Sequence, residues 1–230
     1  MSAPTILILG AGPRVGASVA EKFSHSGYNV AVVSRKGTNS KNKKGYLSLK
    51  ADFRDPKSIP ALFEAVEAEF KSPPSVVVYN APALTPPPDK DSVLSIPVSS
   101  VISDLNVNTV SPYAAAQQAL SAWEGLPAGT KKTFIYTGNI LNQVVLPVPI
   151  TQNQGMGKAA AAYWIGLADA MYAAKGCRFF YADERTEDGK IKAVELDGPA
   201  HAEFYAELVK HKGKLPWNAT FVKGRGYVQF

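Results

Sequence analysis

Cysteine is nearly absent: Cys177 is the only one in 230 residues. A single thiol cannot close an internal disulfide, so a disulfide-stapled secreted fold is excluded, and its place just before the apolar run Phe-Phe-Tyr marks it as a small buried apolar residue rather than a nucleophile. Histidine is scarce too. His25, His201 and His211 are scattered with no Cys at ligand spacing, which argues against a zinc site, and no Gly-x-Ser-x-Gly turn accompanies them, which argues against a serine hydrolase. No apolar stretch reaches the length of a membrane span, and the opening MSAPTILILG lacks the cationic segment of a signal peptide, so a cytoplasmic protein with no membrane partner is expected. Acidic residues are the minority charge, 19 against 25 Lys and Arg. That surplus suits either a nucleic acid or an anionic small ligand. The densest basic stretch, SRKGTNSKNKKG at 34–45, has no interleaved aromatics and falls in one loop, so no nucleic-acid partner is expected; a solvated loop is the plainer alternative to an anion site.

What is present is a rhythm. Short continuous apolar runs, TILIL (5–9), NVAVV (29–33), GYLSLKAD (45–52), SVVVYN (75–80), KTFIYTGN (132–139) and CRFFYAD (177–183), alternate with stretches whose apolar residues recur at helical spacing. Pro56 opens one such helix, Gly176 closes a long Ala-rich one, and the stretch 97–123 is helical with an interruption at NVNTVSP, where Ser111 and Pro112 look like an N-cap and first helical residue. Continuous apolar strands alternating with helices imply a doubly wound α/β fold, a parallel Rossmann-like sheet covered on both faces. No linker divides it, so one domain over residues 1–230 is expected.

After the first run comes GAGPRVG, with glycines at 10, 12 and 16. A turn between a strand and a helix that begins this way offers backbone N–H groups and a positive helix end to a diphosphate, and glycine is needed wherever the backbone must turn sharply or be approached closely. Gly10, Gly12, Arg14, Val15 and Gly16 are therefore the expected phosphate turn. The second strand ends in Ser34, Arg35 and Lys36, cations where an NAD site usually has an acid, so NADP(H) is the expected cofactor.

These residues, with Asp52 in KADFRD, YNAP at 79–82, Asn108 in NVNTVSP and Lys158 in QGMGKAA, resemble the short-chain dehydrogenase/reductase superfamily over about the first 180 residues. The last stretch, LPWNATFVKGRGYVQF, is similar to an atypical subgroup whose active-site Tyr is also replaced, and residues 185–230 are expected to be that subgroup's extension of the same domain. The resemblance implies that Asp52 accepts from the adenine amino group, although a turn or capping role is an equal alternative. It implies that Asn80 and Ala81 line the adenosine pocket, that Lys158 holds the ribose and that Asn108 belongs to a proton relay.

The family's Tyr, four residues before the Lys, is Gln154 here. Helical spacing keeps Gln154 and Lys158 on one face, but a carboxamide cannot release a proton near neutral pH. The Ser that orients the carbonyl falls near Thr137 and Asn139, and the Pro-Gly turn after the last strand is replaced by ADERTEDG. Tyr163, nine residues on, falls on the opposite side of the helix and is expected to pack; Tyr113, Tyr136 and Asp183 remain as other donors, and the Tyr46, Lys50 pair lies in a strand, where its spacing means nothing. The expected activity is NADP-dependent hydride transfer to a small carbonyl substrate, with Lys158, Asn108, Gln154 and Thr137 at the reacting end; the alternative is a non-catalytic NADP(H)-binding sensor or scaffold. The Ala-rich helix suits either a core face or the interface of a homodimer or homotetramer.

Overall fold

Every residue of β1 (Thr5–Leu9) is buried, which a strand achieves only when both its faces are covered. The computed structural model describes residues 3–212 and 215–230. Leu7 and Leu9 face one layer, built from α2 (Ile59–Phe70), α4 (Ser111–Trp123) and α5 (Gln152–Tyr172); Ile6 and Ile8 face the other, built from α1 (Val15–His25) and α6 (Gly198–Leu208). Each such buried Leu or Ile contributes about 2 kcal/mol.

Further strands are β2 (Asn29–Ser34), β3 (Ser40–Lys41), β4 (Leu47–Lys50), β5 (Val76–Tyr79), β6 (Lys132–Thr137), β7 (Cys177–Arg185), β8 (Asn218–Val222) and β9 (Gly226–Tyr227). They form one sheet in the order β3-β4-β2-β1-β5-β6-β7-β8-β9, in which β3 and β9 pair antiparallel at the two edges and the other strands are parallel. This is the doubly wound Rossmann-like arrangement. Its order reverses between β1 and β5, and the carboxyl ends of the strands open a crevice there.

Three sequence expectations are corrected. Ser111 is not an N-cap: α3 (Val98–Leu105) runs through a π-helical segment, Asn106–Val110, into α4, and the Ser111 hydroxyl donates to the Phe53 carbonyl at 2.7 Å. The strand over 177–183 is neither the last nor so short. It continues to Arg185, so the first four residues of ADERTEDG are strand rather than turn, and β8 and β9 follow it. Tyr163 points away from the crevice but does not pack, being 79% exposed. Cys177 is buried, as read.

Candidate active site

The phosphate turn owes its shape to missing side chains. Gly10 has a φ of 104°, and a Cβ there would meet the Ala81 nitrogen at 2.5 Å; a Cβ on Gly16 would meet the Ala11 Cα at 2.7 Å. Gly12 is different, because a Cβ there would meet nothing within 4 Å. The first two glycines let chain segments touch each other, whereas Gly12 borders open space at the start of α1, and no side chain among the described residues caps that helix end. Exposed N–H groups, a positive helix end and an uncovered glycine fit a diphosphate. Asn80 Nδ2 donates to the Gly10 carbonyl at 2.9 Å and holds the turn against β5.

Two clefts run from this turn and share Gly12, Asn80, Pro82 and Leu84. The first, about 560 Å³, is bordered by Gly10, Gly12, Ser34, Arg35, Asp52, Asn80 and Ala81, so seven of the expected cofactor contacts come together. Lys36 does not border it. Its backbone N–H bonds the Ser34 hydroxyl at 3.3 Å. Asp52 makes a turn, its carboxylate accepting from the Arg54 N–H at 3.0 Å, and the residue also borders the cleft. Arg54, a second Arg bordering this cleft, was missed; the Asp52 turn just before it was its signal.

The second cleft, about 500 Å³, joins the phosphate turn to α5 and is bordered by Arg14, Val15, Thr137, Asn139, Gln154, Lys158 and Glu184, with an apolar wall of Leu84, Leu141, Ile150, Val194 and Leu196. Arg14 is committed elsewhere, its guanidinium donating to the Val194 carbonyl. That bond ties down a strap, 191–196, over the phosphate turn. The strap leads into α6, where a Cβ on Gly198 would meet the Ser18 hydroxyl at 2.5 Å, so α6 sits hard against the start of α1.

Lys158 is buried, donates to the Thr137 carbonyl at 2.6 Å, and holds its ammonium 4.3 Å from the centre of the Tyr136 ring. Burial pushes it down to about 7, with the negative charge of Asp183 opposing. Gln154 stands one helical turn earlier, and Asn139 Nδ2 approaches its Oε1 at 3.5 Å. The Thr137 hydroxyl is paired with the Tyr205 hydroxyl at 2.7 Å.

Asn108 borders neither cleft. Its side chain makes two bonds to the backbone of Ala83, 2.9 Å from the N–H and 2.7 Å to the carbonyl, and its own carbonyl accepts from Tyr136 at 2.8 Å. The π-helical turn around it brings α5 so close that a Cβ on Gly157 would meet the Asn108 Cβ at 2.4 Å. Tyr136 itself is core, stacked between Tyr79 and Tyr181, and burial raises its phenol. Tyr113 packs its ring edge against Trp164, away from both clefts.

The end of β7 carries Asp183, Glu184 and Arg185, all buried. Alternation along the strand sends Asp183 and Arg185 to one face, where they pair at 2.5 Å, and Glu184 to the other, where it accepts from the Asp197 N–H at 2.8 Å and lies 3.4 Å from His201. Burial raises Asp183 to about 6, with Arg185 opposing; it also raises Glu184 and lowers His201 to about 4. Three charges closing an apolar run are costly to bury, and that mismatch was the signal in the sequence.

No family model matches the chain. It is 39% identical over 240 residues to the short chain dehydrogenase/reductase dmxR12 of Cryptosporiopsis sp. (strain 8999), covering 100% of this chain and 96% of the relative. Among solved structures, a 3-ketoacyl-(acyl-carrier-protein) reductase from Brucella melitensis complexed with NADH superposes with a TM-score of 0.80 at 18% identity, covering 97% of this chain and 98% of that one. A short chain dehydrogenase from Burkholderia cenocepacia in complex with NADP gives 0.74 at 18% identity, covering 97% of each. At such identity these two speak for the fold, and the curated relative for the lineage: the chain belongs to the short-chain dehydrogenase/reductase family of oxidoreductases.

Proposed function

We propose that this protein is an NADP(H)-dependent reductase of a small carbonyl compound, an atypical family member in which Gln154 stands where the acid would be. The observation that carries the reading is the continuous crevice, which runs from Arg35 past the uncovered Gly12 to Lys158 and Gln154. The solved structures with NADP or NADH support a nicotinamide cofactor, and the choice of NADP(H) rests on charge. Ser34 and Arg35 close β2 with no acid among them, and Arg54 adds a guanidinium to the same cleft. Asp52, Asn80 and Ala81 would take the adenosine; the N–H groups around Gly12, Val15 and Gly16 would take the diphosphate.

When bound, the cofactor supplies a hydride. The chain's own part is to hold and polarise. Lys158 offers N–H donors at the inner end, the Gln154 and Asn139 amides can hydrogen-bond a carbonyl oxygen, and the wall of Leu84, Leu141 and Ile150 excludes water. Thr137 positions Lys158 through its carbonyl, and Asn108 fixes the segment around Ala83 that roofs the adenosine cleft. The chain is read as one domain whose residues 185–230 complete the sheet and the strap. We also read it as a homo-oligomer, because Val98, Ile102, Tyr163, Leu167 and Met171 expose a broad apolar face on α3 and α5.

The test is NADPH oxidation with a panel of aldehydes, ketones and quinones, together with calorimetry. Arg35→Glu should weaken NADPH about tenfold to a hundredfold while changing NADH little. Equal weakening of both removes the 2′-phosphate assignment, and tight NADPH binding with no oxidation across the panel leaves a non-catalytic sensor.

A further inference from the structure

We propose that Lys158 is itself the proton donor of this cleft, passing a proton from Nζ to the oxygen of the carbonyl being reduced, with Asp183 as its buried counter-charge. The inference rests on the reductase reading and assigns the step that the replacement by Gln154 leaves open. No Tyr, His or Cys borders the inner cleft among the described residues. Its proton-bearing side chains, besides neutral amides, are the hydroxyls of Thr137 and Thr151, Arg14, Lys192, Glu184 and Lys158. Threonine hydroxyls do not ionise near neutrality. Arg14 is bound to the Val194 carbonyl, and Lys192 borders the cleft from the strap but is only half-buried.

Lys158 and Glu184 are the buried ionisable groups of this cleft; Glu184 is engaged by the Asp197 N–H at 2.8 Å and lies 3.4 Å from His201, whereas Lys158 stands on the same helical face as Gln154 and one turn from it. Of its three donors, one is used on the Thr137 carbonyl. The charged and titratable groups around it are few. From β6 comes the Tyr136 ring beneath the ammonium; from β7 come Asp183, held by Arg185, and on the opposite face Glu184; from α6 comes Tyr205, through Thr137. Gln154, its neighbour on α5, is neutral. Burial brings Lys158 to about 7, which is where a group can both hold a proton and release it at working pH.

The step balances without another reactant. The carbonyl carbon receives a hydride from the reduced nicotinamide, the electron pair of the C=O π bond moves to oxygen, and oxygen takes a proton as one N–H bond of Lys158 breaks. The nicotinamide is oxidised, the carbonyl becomes an alcohol, and the neutral amine regains a proton from solvent.

Lysine NMR on the ligand-free protein tests this, with the Lys158 signal assigned by its loss in Lys158→Arg. A titration near 7 is expected; one near 10 overturns the inference and leaves the reductase reading intact. On the carbonyl that the panel identifies, Lys158→Arg keeps a cation and hydrogen-bond donors but gives up no proton at neutral pH, so kcat should fall about 10²- to 10⁴-fold while the NADPH Kd stays within about threefold. An unchanged kcat overturns the inference, as does loss of kcat in Glu184→Gln combined with a Lys158 titration near 10, which assigns the proton to Glu184. If wild-type protein reduces no carbonyl although Lys158 titrates near 7, the reductase reading itself fails and the donor role falls with it.

Discussion

The two ends of the crevice use the same parts, a strand end, a loop and a helix start, but draw their polarity from different sources. At the outer end the polar groups are mostly backbone, in a turn that Gly10 and Gly16 let close tightly and Gly12 leaves uncovered, with Arg35 and Arg54 bordering the cleft. At the inner end the polar groups are side chains sunk into the core: Lys158, Asp183, Glu184, Arg185 and His201. A backbone site loses little when neighbouring side chains change, since its donors belong to every residue. A buried charge works only with all its partners, so this end should behave as one unit.

The largest effect that would sharpen this contrast is at the inner end. Asp183→Leu leaves Arg185 buried with its carboxylate partner gone, and should cost about 3 to 5 kcal/mol in urea unfolding. Adding Arg185→Met should return most of it, because two apolar residues replace the pair without an orphan charge. A single substitution that is nearly neutral would show that Arg185 finds compensation elsewhere, and the inner end would then not behave as one unit.

At the outer end the expected loss is smaller and of another kind. Gly10→Ala places a Cβ 2.5 Å from the Ala81 nitrogen at a φ of 104°, so it should cost about 2 to 3 kcal/mol through backbone strain and displacement of Ala81. Because Asn80 and Ala81 move with it, calorimetry should show NADPH affinity reduced at least tenfold. Gly12→Ala, which meets only open space within the protein, should leave the melting temperature nearly unchanged and lower affinity alone. Parallel losses of stability in both variants would erase the distinction between a glycine that makes the turn and a glycine that faces the ligand.

That distinction also explains what could be seen in the sequence. Strands such as Thr5–Leu9 and Val76–Tyr79 are buried on both faces, so they stand out as unbroken apolar runs, and the glycine turn follows the first of them directly. The end strands β8 and β9 did not stand out: Asn218–Val222 mixes polar and apolar residues, and Gly226–Tyr227 is too short to show a period. Ser111 misled because Ser followed by Pro signals a helix start, whereas here a π-helical turn carries the chain through and the hydroxyl is used by Phe53, 58 residues away in sequence. Asn108 could be located but not its use, since its partner Ala83 is backbone on a distant loop. Local chemistry showed the outer end, and pairings made by folding hid the inner one.

The smallest expected effect uses pH to separate the two faces of β7. His201 is held near 4, below its unfolded value of 6.5, so the unfolded chain binds its proton first; stability from this group is complete above about 6.5 and is lost as pH falls toward 4. Asp183 is held near 6, above its unfolded value of 3.8, so the folded chain binds that proton first and stability rises as pH falls through the same window. The opposing slopes should leave wild-type protein with only a shallow change between pH 7 and pH 5. His201→Phe, placed among the Phe221 and Tyr205 rings, removes the His201 slope, so on going from pH 7 to pH 5 its unfolding free energy should rise relative to wild type by about 1 to 2 kcal/mol. Matching pH profiles for the two proteins would mean that His201 takes up its proton without opening the core, and that the Glu184 carboxylate 3.4 Å away receives the charge.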